Sequence, residues 1–376
     1  MKKKMKLRLD CKHFVGEKPC RYKLLCEECD KYAPMGRRIL IIKLAAMGDV
    51  LRTTPILRGF KRKYPKSHIT WLTDENAYGL LKENPLIDRL LVFNAESILQ
   101  VEVEEFDLLL CLDKEPRATA LAIKVKAKEK LGFGMSPEGR VFPLNEESVY
   151  MFKLGLSDPL KFVINAKTYP ELIYESSRLE YRQDEYTLTI PDEDVSYAKS
   201  FLLKHGISEE ALIIGLNTGA GDIFANKAWT VDGFVELIKT ISSEINGKMI
   251  LLGGPNEVKR NREIYSRVGN LVYDAGCDNS LQQFSSLINL CDLVVSGDSI
   301  AMHIAIALGK LVVAIFGPTC AQEIELYGRG RKIVSELECG PCYKRECNKE
   351  VNCMNTISVD EVYHAVLDLL KDNGKI

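Results

Sequence analysis

No apolar run in this sequence approaches the roughly 18–20 consecutive residues that cross a bilayer, so it offers no membrane span. The basic start, MKKKMKLRLDCKH, lacks the apolar core of a secretory signal, because Asp10, Lys12 and His13 interrupt it. A cytoplasmic protein is expected. The fingerprint G-x-G-x-x-G is missing from the first strand-to-helix turn, KLAAMGDVLRTTP, where Gly48 is the only glycine. That argues against a nicotinamide dehydrogenase. No G-K-[ST] closes a phosphate loop, no segment is of low complexity, and no repeat exceeds a shared strand–helix rhythm. With a net charge of only −1, no nucleic-acid partner is expected.

What is present is ordinary in bulk and uneven in distribution. The 376 residues, 46% hydrophobic and 27% charged, are too many for one core, and two domains are the natural expectation. Residues 1–63 hold 18 Lys or Arg against 6 Asp or Glu, a balance of +12. Such a region suits either an anionic lipid surface or substrate, or a plain solvated face. The 12 cysteines cluster. Cys11, Cys20, Cys26 and Cys29 have the spacing C-x8-C-x5-C-x2-C beside His13, and Cys339, Cys342, Cys347 and Cys353 begin with C-x2-C. In a reducing compartment this reads as metal ligation or free thiols rather than disulfides. Four N-terminal thiolates could close a structural zinc or iron site, sensible for an extension too short to fold by apolar burial.

From Arg38 apolar strands alternate with amphipathic helices. Strands are expected at 39–46, 68–73, 89–93, 106–113 and near 130–133, with helices at 50–64, 75–82 and 117–126. The rhythm lapses near 157–195, where 170–182 looks helical and a helix begins near Val195. It restarts with strands at 211–217, 248–254, 271–275, 292–297 and 311–317, helices between them, and a last helix at 358–371. Strands separated by helices imply parallel sheets with right-handed crossovers. The expected organisation is a Cys-rich extension (1–36), one doubly wound unit (37–185) and a second (186–376). The crevice between them, at the C-terminal strand ends, is the expected ligand site.

Three turns on that edge could carry chemistry. Asp49 sits at the start of the first helix, as either a helix cap or a general base on a hydroxyl group. In LNTGAGDIFANKAWT, Thr218, Gly219, Ala220 and Gly221 form a small-residue loop ahead of Lys227. It could cradle phosphate with backbone amides, or be an ordinary turn with a surface lysine. In VVSGDSIAMHIAIALGKLVVAIFGPT, Asp298 and Ser299 open a helix with His303 one turn along. Its N-terminus suits a pyrophosphate, and Ser299 and His303 on one face could both reach it.

Together the stretches ILIIKLAAMGDVLRTTPIL, LNTGAGDIFANKAWT, ILLGGPNE, VVSGDSIAMHIAIALGKLVVAIFGPT and CGPCYKREC resemble glycosyltransferase family 9, the ADP-heptose:lipopolysaccharide heptosyltransferases, over about residues 37–371. The resemblance implies the α/β GT-B fold, two tandem Rossmann-like domains with an interdomain cleft, the N-terminal one for acceptor and the C-terminal one for ADP-sugar. It implies Asp49 as the catalytic base, and Thr218, Gly219, Ala220 and Lys227 at the donor diphosphate. Asp298, Ser299 and His303 would face the diphosphate and sugar, and Glu257 the ribose. Ile300 stands where family members often carry Gly. Asp192-Glu193-Asp194 matches the metal-binding D-x-D of another glycosyltransferase architecture, but it opens a helix, where acidic residues need no metal.

The expected reaction is inverting single displacement. Asp49 deprotonates an acceptor hydroxyl, which attacks the anomeric carbon opposite the departing ADP, with Lys227 and the 298–303 helix start in place of a divalent metal. The acceptor would be an anionic, lipid-linked glycan such as a lipopolysaccharide core, met at the cytoplasmic face of the inner membrane. Two rivals remain. One is a nucleotide-sugar epimerase or hydrolase on the same fold; the other is a metal-binding interaction protein with a decayed donor site.

Overall fold

The computed structural model describes residues 7–221, 224 and 226–376; Asp222, Ile223 and Ala225 of the LNTGAGDIFANKAWT turn lie outside them. Strands β1 (Arg38–Ile42), β2 (His68–Thr73), β3 (Arg89–Val92), β4 (Glu105–Cys111), β5 (Lys126–Met135) and β6 (Val141–Pro143) form one sheet in the order β3-β2-β1-β4-β5-β6. Its pairings are parallel except β5 with β6. β1 is apolar and buried because it lies mid-sheet between β2 and β4, with Ile41 level with Trp71 on one side and Leu110 on the other.

The second sheet holds β7 (Ile213–Asn217), β8 (Lys248–Leu252), β9 (Tyr273–Asp274), β10 (Leu293–Gly297), β11 (Leu311–Phe316) and β12 (Gly330–Val334), in the order β12-β11-β10-β7-β8-β9. All its pairings are parallel. β7 and β10 run side by side and end together, Asn217 level with Ser296. The two turns singled out in the sequence therefore leave one sheet edge as neighbours. Each sheet carries helices from its crossovers, and the pair makes the expected two-unit GT-B arrangement.

Several elements differ from expectation. The helix expected over 50–64 is two helices, Met47–Leu51 and Pro55–Lys63, because Pro55 lacks an N–H and starts a new helix at its first turn. Ala95–Val103 is a helix where none is expected, capped by the Asn94 side chain, which accepts from the Ser97 N–H. The polar edge strand β12 is likewise additional. The acidic triplet 192–194 fills the first turn of the helix Asp192–His205, as expected.

In the extension, residues 7–36 hold no helix or strand, only a bridge between Cys11 and Pro34. Cys11, Cys20, Cys26, Cys29 and His13 line one cavity of about 600 Å³. Among the described residues no group of three or more His, Cys, Asp or Glu is arranged to hold a metal ion, so the expected four-thiolate site finds no support. No described helix is long and apolar enough to cross a membrane.

The two units meet at a packed seam. Leu51 and Leu80 of the first unit belong to the same buried cluster as Met302 and Ala305 of the second. The Gln322 side-chain amide donates to Phe162 O at 3.0 Å, and Tyr169 N–H donates to Glu323 O at 2.8 Å.

Candidate active site

The site is built from the seam outward. After β1 the chain runs through 43–46 into the helix Met47–Leu51. That passage is held by the buried Lys43–Asp113 ion pair, Asp113 also accepting from the Leu44 N–H. Asp49 lies in the first turn of the helix, whose N-cap is Ala46. Its side chain is 39% exposed, so it is open to a substrate, and it pairs with Arg52 at 2.9 Å. Burial alone would raise the Asp49 carboxyl, but Arg52, then Lys43 and His303, outweigh it and hold the group at about 2. Asp49 is therefore a carboxylate throughout the physiological range.

Gly48 marks where the other unit arrives. A β-carbon there would stand 2.5 Å from His303 Cδ2, so only glycine admits this approach. His303 is buried in the helix Ile300–Ala307, its ring stacked on Tyr186 at 6.2 Å, and its Nδ1 has no hydrogen-bond partner among the described residues. Burial drives its pKa down to about 4 despite the pull of Asp298, so the ring is neutral at neutral pH. Asp298 pairs with Lys227 at 3.1 Å. Burial would raise its carboxyl, but Lys227 and His303 lower it. The Lys227–Asp298 ion pair and the neutral His303, expected together at a diphosphate, thus form one cluster facing Asp49.

The remaining predicted residues adjoin this cluster without all pointing as expected. Ser299 is the N-cap of the helix but makes no side-chain cap. Its hydroxyl lies 3.0 Å from Ser296 Oγ and accepts from Asn217 Nδ2 at 3.2 Å. Thr218 is buried and donates to Asn261 Oδ1, so its hydroxyl is engaged inside the fold. Gly219 lies against Glu257: a β-carbon there would be 2.3 Å from the carboxyl carbon. Glu257 accepts from Gly254 N–H at 2.8 Å. Ala220 is buried, its methyl 3.4 Å from the β-carbon Gly297 would carry.

Sequence reasoning missed residues that reach the seam through the tertiary fold. Arg52 lies across the Tyr169 ring at 3.8 Å and approaches Glu323 of the second unit at 3.7 Å. Tyr343, in the CGPCYKREC segment, stacks on Phe162 of the first unit at 5.7 Å and meets Phe224 edge-on at 5.3 Å. That segment is anchored by the Cys342 and Tyr343 N–H groups, which donate to Pro318 O at 3.0 Å. Arg52 had a signal, its i,i+3 spacing from Asp49; Glu323 and Tyr343 had none.

The chain is 26% identical over 294 residues to the lipopolysaccharide core heptosyltransferase OpsX of Haemophilus influenzae, covering 74% of this chain and 79% of that one. Its fold is similar to a glycosyl transferase family 9 structure from Veillonella parvula, with a TM-score of 0.71 at 21% identity, covering 89% of this chain and 98% of that one. It is similar also to E. coli ADP-heptose lps heptosyltransferase II, with a TM-score of 0.63 at 20% identity over 90% and 99% of the two chains. Residues 98–352, more than half of the sequence, match glycosyltransferase family 9 (heptosyltransferase), and the chain belongs to that family.

Proposed function

We propose that this enzyme transfers heptose from ADP-heptose to a lipopolysaccharide-core acceptor, with inversion and without a catalytic metal. One observation carries the reading. A carboxylate with a side chain 39% exposed, Asp49, faces the buried His303 and the partly buried Lys227–Asp298 pair, all contributed by the other unit. A base on one side and cationic and helix-terminal groups on the other are what a single displacement needs. Asp49 takes the proton of the acceptor hydroxyl. Lys227 and the start of the helix Ile300–Ala307 stabilise the charge that grows on the departing diphosphate. The neutral His303 adds no charge of its own and is free to hydrogen-bond.

The division of labour follows the two sheets. Residues 37–185 hold the acceptor and 186–376 the donor, Thr218, Gly219 and Ala220 beside the phosphates and Glu257 beside the ribose. Ser299 acts through its backbone at the helix start, since its hydroxyl is engaged with Ser296 and Asn217. The names of OpsX and of heptosyltransferase II support lipopolysaccharide core as acceptor and ADP-heptose as donor. The balance of +12 over residues 1–63 supports contact with an anionic, lipid-linked glycan at the cytoplasmic face of the inner membrane.

The test is Asp49→Asn. The variant should lose transfer by about 10²–10⁴-fold, the usual contribution of a positioned base, while binding ADP-heptose as the wild type does. Loss of donor binding instead would remove Asp49 from the role of base. NMR of the product's anomeric centre checks inversion: retained configuration would contradict single displacement.

A further inference from the structure

Arg52 is placed between two carboxylates of different origin. Its guanidinium lies 2.9 Å from Asp49, one turn earlier on its own unit, and 3.7 Å from Glu323, which the second unit carries. The Arg52 side chain is 14% exposed and Glu323 12%, so water screens the contact between them weakly. The guanidinium plane is fixed over the Tyr169 ring at 3.8 Å, and the Tyr169 N–H donates to the Glu323 carbonyl at 2.8 Å. The same residue thus holds both the arginine and the backbone of its second partner. Tyr169 OH lies 3.1 Å from Thr53 Oγ1, which donates to the Asp49 carbonyl at 2.6 Å. Lys161 of the first unit also approaches Glu323, at 3.8 Å.

We infer that Arg52 is a positioning residue shared between Asp49 and Glu323, and that Glu323, from across the seam, sets how strongly the guanidinium holds the Asp49 carboxylate. The inference rests on the reading of Asp49 as base. A carboxylate held wholly by an arginine is a weak base; one that shares the arginine with a second anion is a stronger one. The other charged and titratable groups about Asp49 are Lys43, Asp113 and Tyr169 of its own unit and His303 of the second. Lys43 is committed to Asp113 and His303 is neutral, which leaves Arg52 as the cation whose division the seam can alter. Since Glu323 belongs to the second unit, the base reaches working strength only when the two units are seated on one another.

The experiment measures kcat against pH with ADP-heptose and acceptor for wild type, Arg52→Gln, Glu323→Gln and the double variant, with donor Kd determined alongside. Arg52→Gln should move the acidic limb up by one pH unit or more, the usual effect of losing an adjacent cation. Glu323→Gln should leave the limb at or below its wild-type position and lower the plateau kcat severalfold, with donor Kd unchanged. The double variant should match Arg52→Gln alone, because Glu323 acts through the arginine. An unmoved limb in Arg52→Gln, or the same loss from Glu323→Gln with and without Arg52, would overturn the inference and leave Asp49 as base. Asp49→Asn in the same assay separates the two: if it retains turnover, the base assignment falls and this inference with it.

Discussion

Gly48 and His303 touch across the seam at a distance that leaves no room for a methyl group. Gly48→Ala should therefore displace a buried imidazole, costing ~1–3 kcal/mol as overpacking does, and lower kcat at least tenfold; urea unfolding and steady-state rates would check both. His303 also makes stability depend on pH. Its folded pKa is about 4 against an ordinary 6.5, so between those values the unfolded chain binds a proton that the folded chain refuses. Stability conferred by the neutral ring is complete above 6.5 and falls as pH falls toward 4. Replacing His303 with Gln should flatten unfolding free energy against pH in that window, and an unchanged slope would assign it to another group. Asp49 has the same sign in a lower window: its depressed carboxyl stabilises above its ordinary value of 3.8, and that contribution fades as pH falls toward 2. Asp49, Lys227, Asp298 and His303 were legible because each sits at a strand-to-helix turn of the edge where such folds bind ligands. Arg52 and Glu323 were not, since their partnership depends on how two units dock.

At the scale of elements, the strands of both sheets could be read because buried parallel strands are continuous apolar runs, as in RILII and LVVAIF. The helix Ala95–Val103 was missed because AESILQVEV alternates in its last residues like a strand; its signal was the Asn94 cap. β12 was missed because GRKIV is polar and lies on a sheet edge. The helix Val231–Glu244 behind the 218–230 loop starts at Thr230, whose side chain accepts from Gly233 N–H at 2.9 Å. Thr230→Ala should cost ~1 kcal/mol of stability. Trp229, immediately before it, is buried and donates to Ile357 O at 3.2 Å, so the C-terminal end of the 218–230 loop is fixed to the core. The cap's loss should therefore show in urea unfolding and scarcely in donor affinity.

The molecule as a whole pairs a unit that carries Asp49 with a unit that carries Lys227, Asp298 and His303, and Leu51, Leu80, Met302 and Ala305 pack the join. The basic first 63 residues should bind anionic phospholipid vesicles in co-sedimentation and release them as salt rises, because the Debye length shortens to about 8 Å at physiological ionic strength. Binding that persists at high salt would point to apolar insertion instead. The central claim concerns the donor, and calorimetry tests it most directly, with ADP-heptose titrated against UDP- and GDP-sugars before and after chelator. The account predicts that ADP-heptose binds selectively and that chelator leaves its affinity unchanged. Preference for another nucleotide sugar, or affinity lost with the chelator, would contradict it.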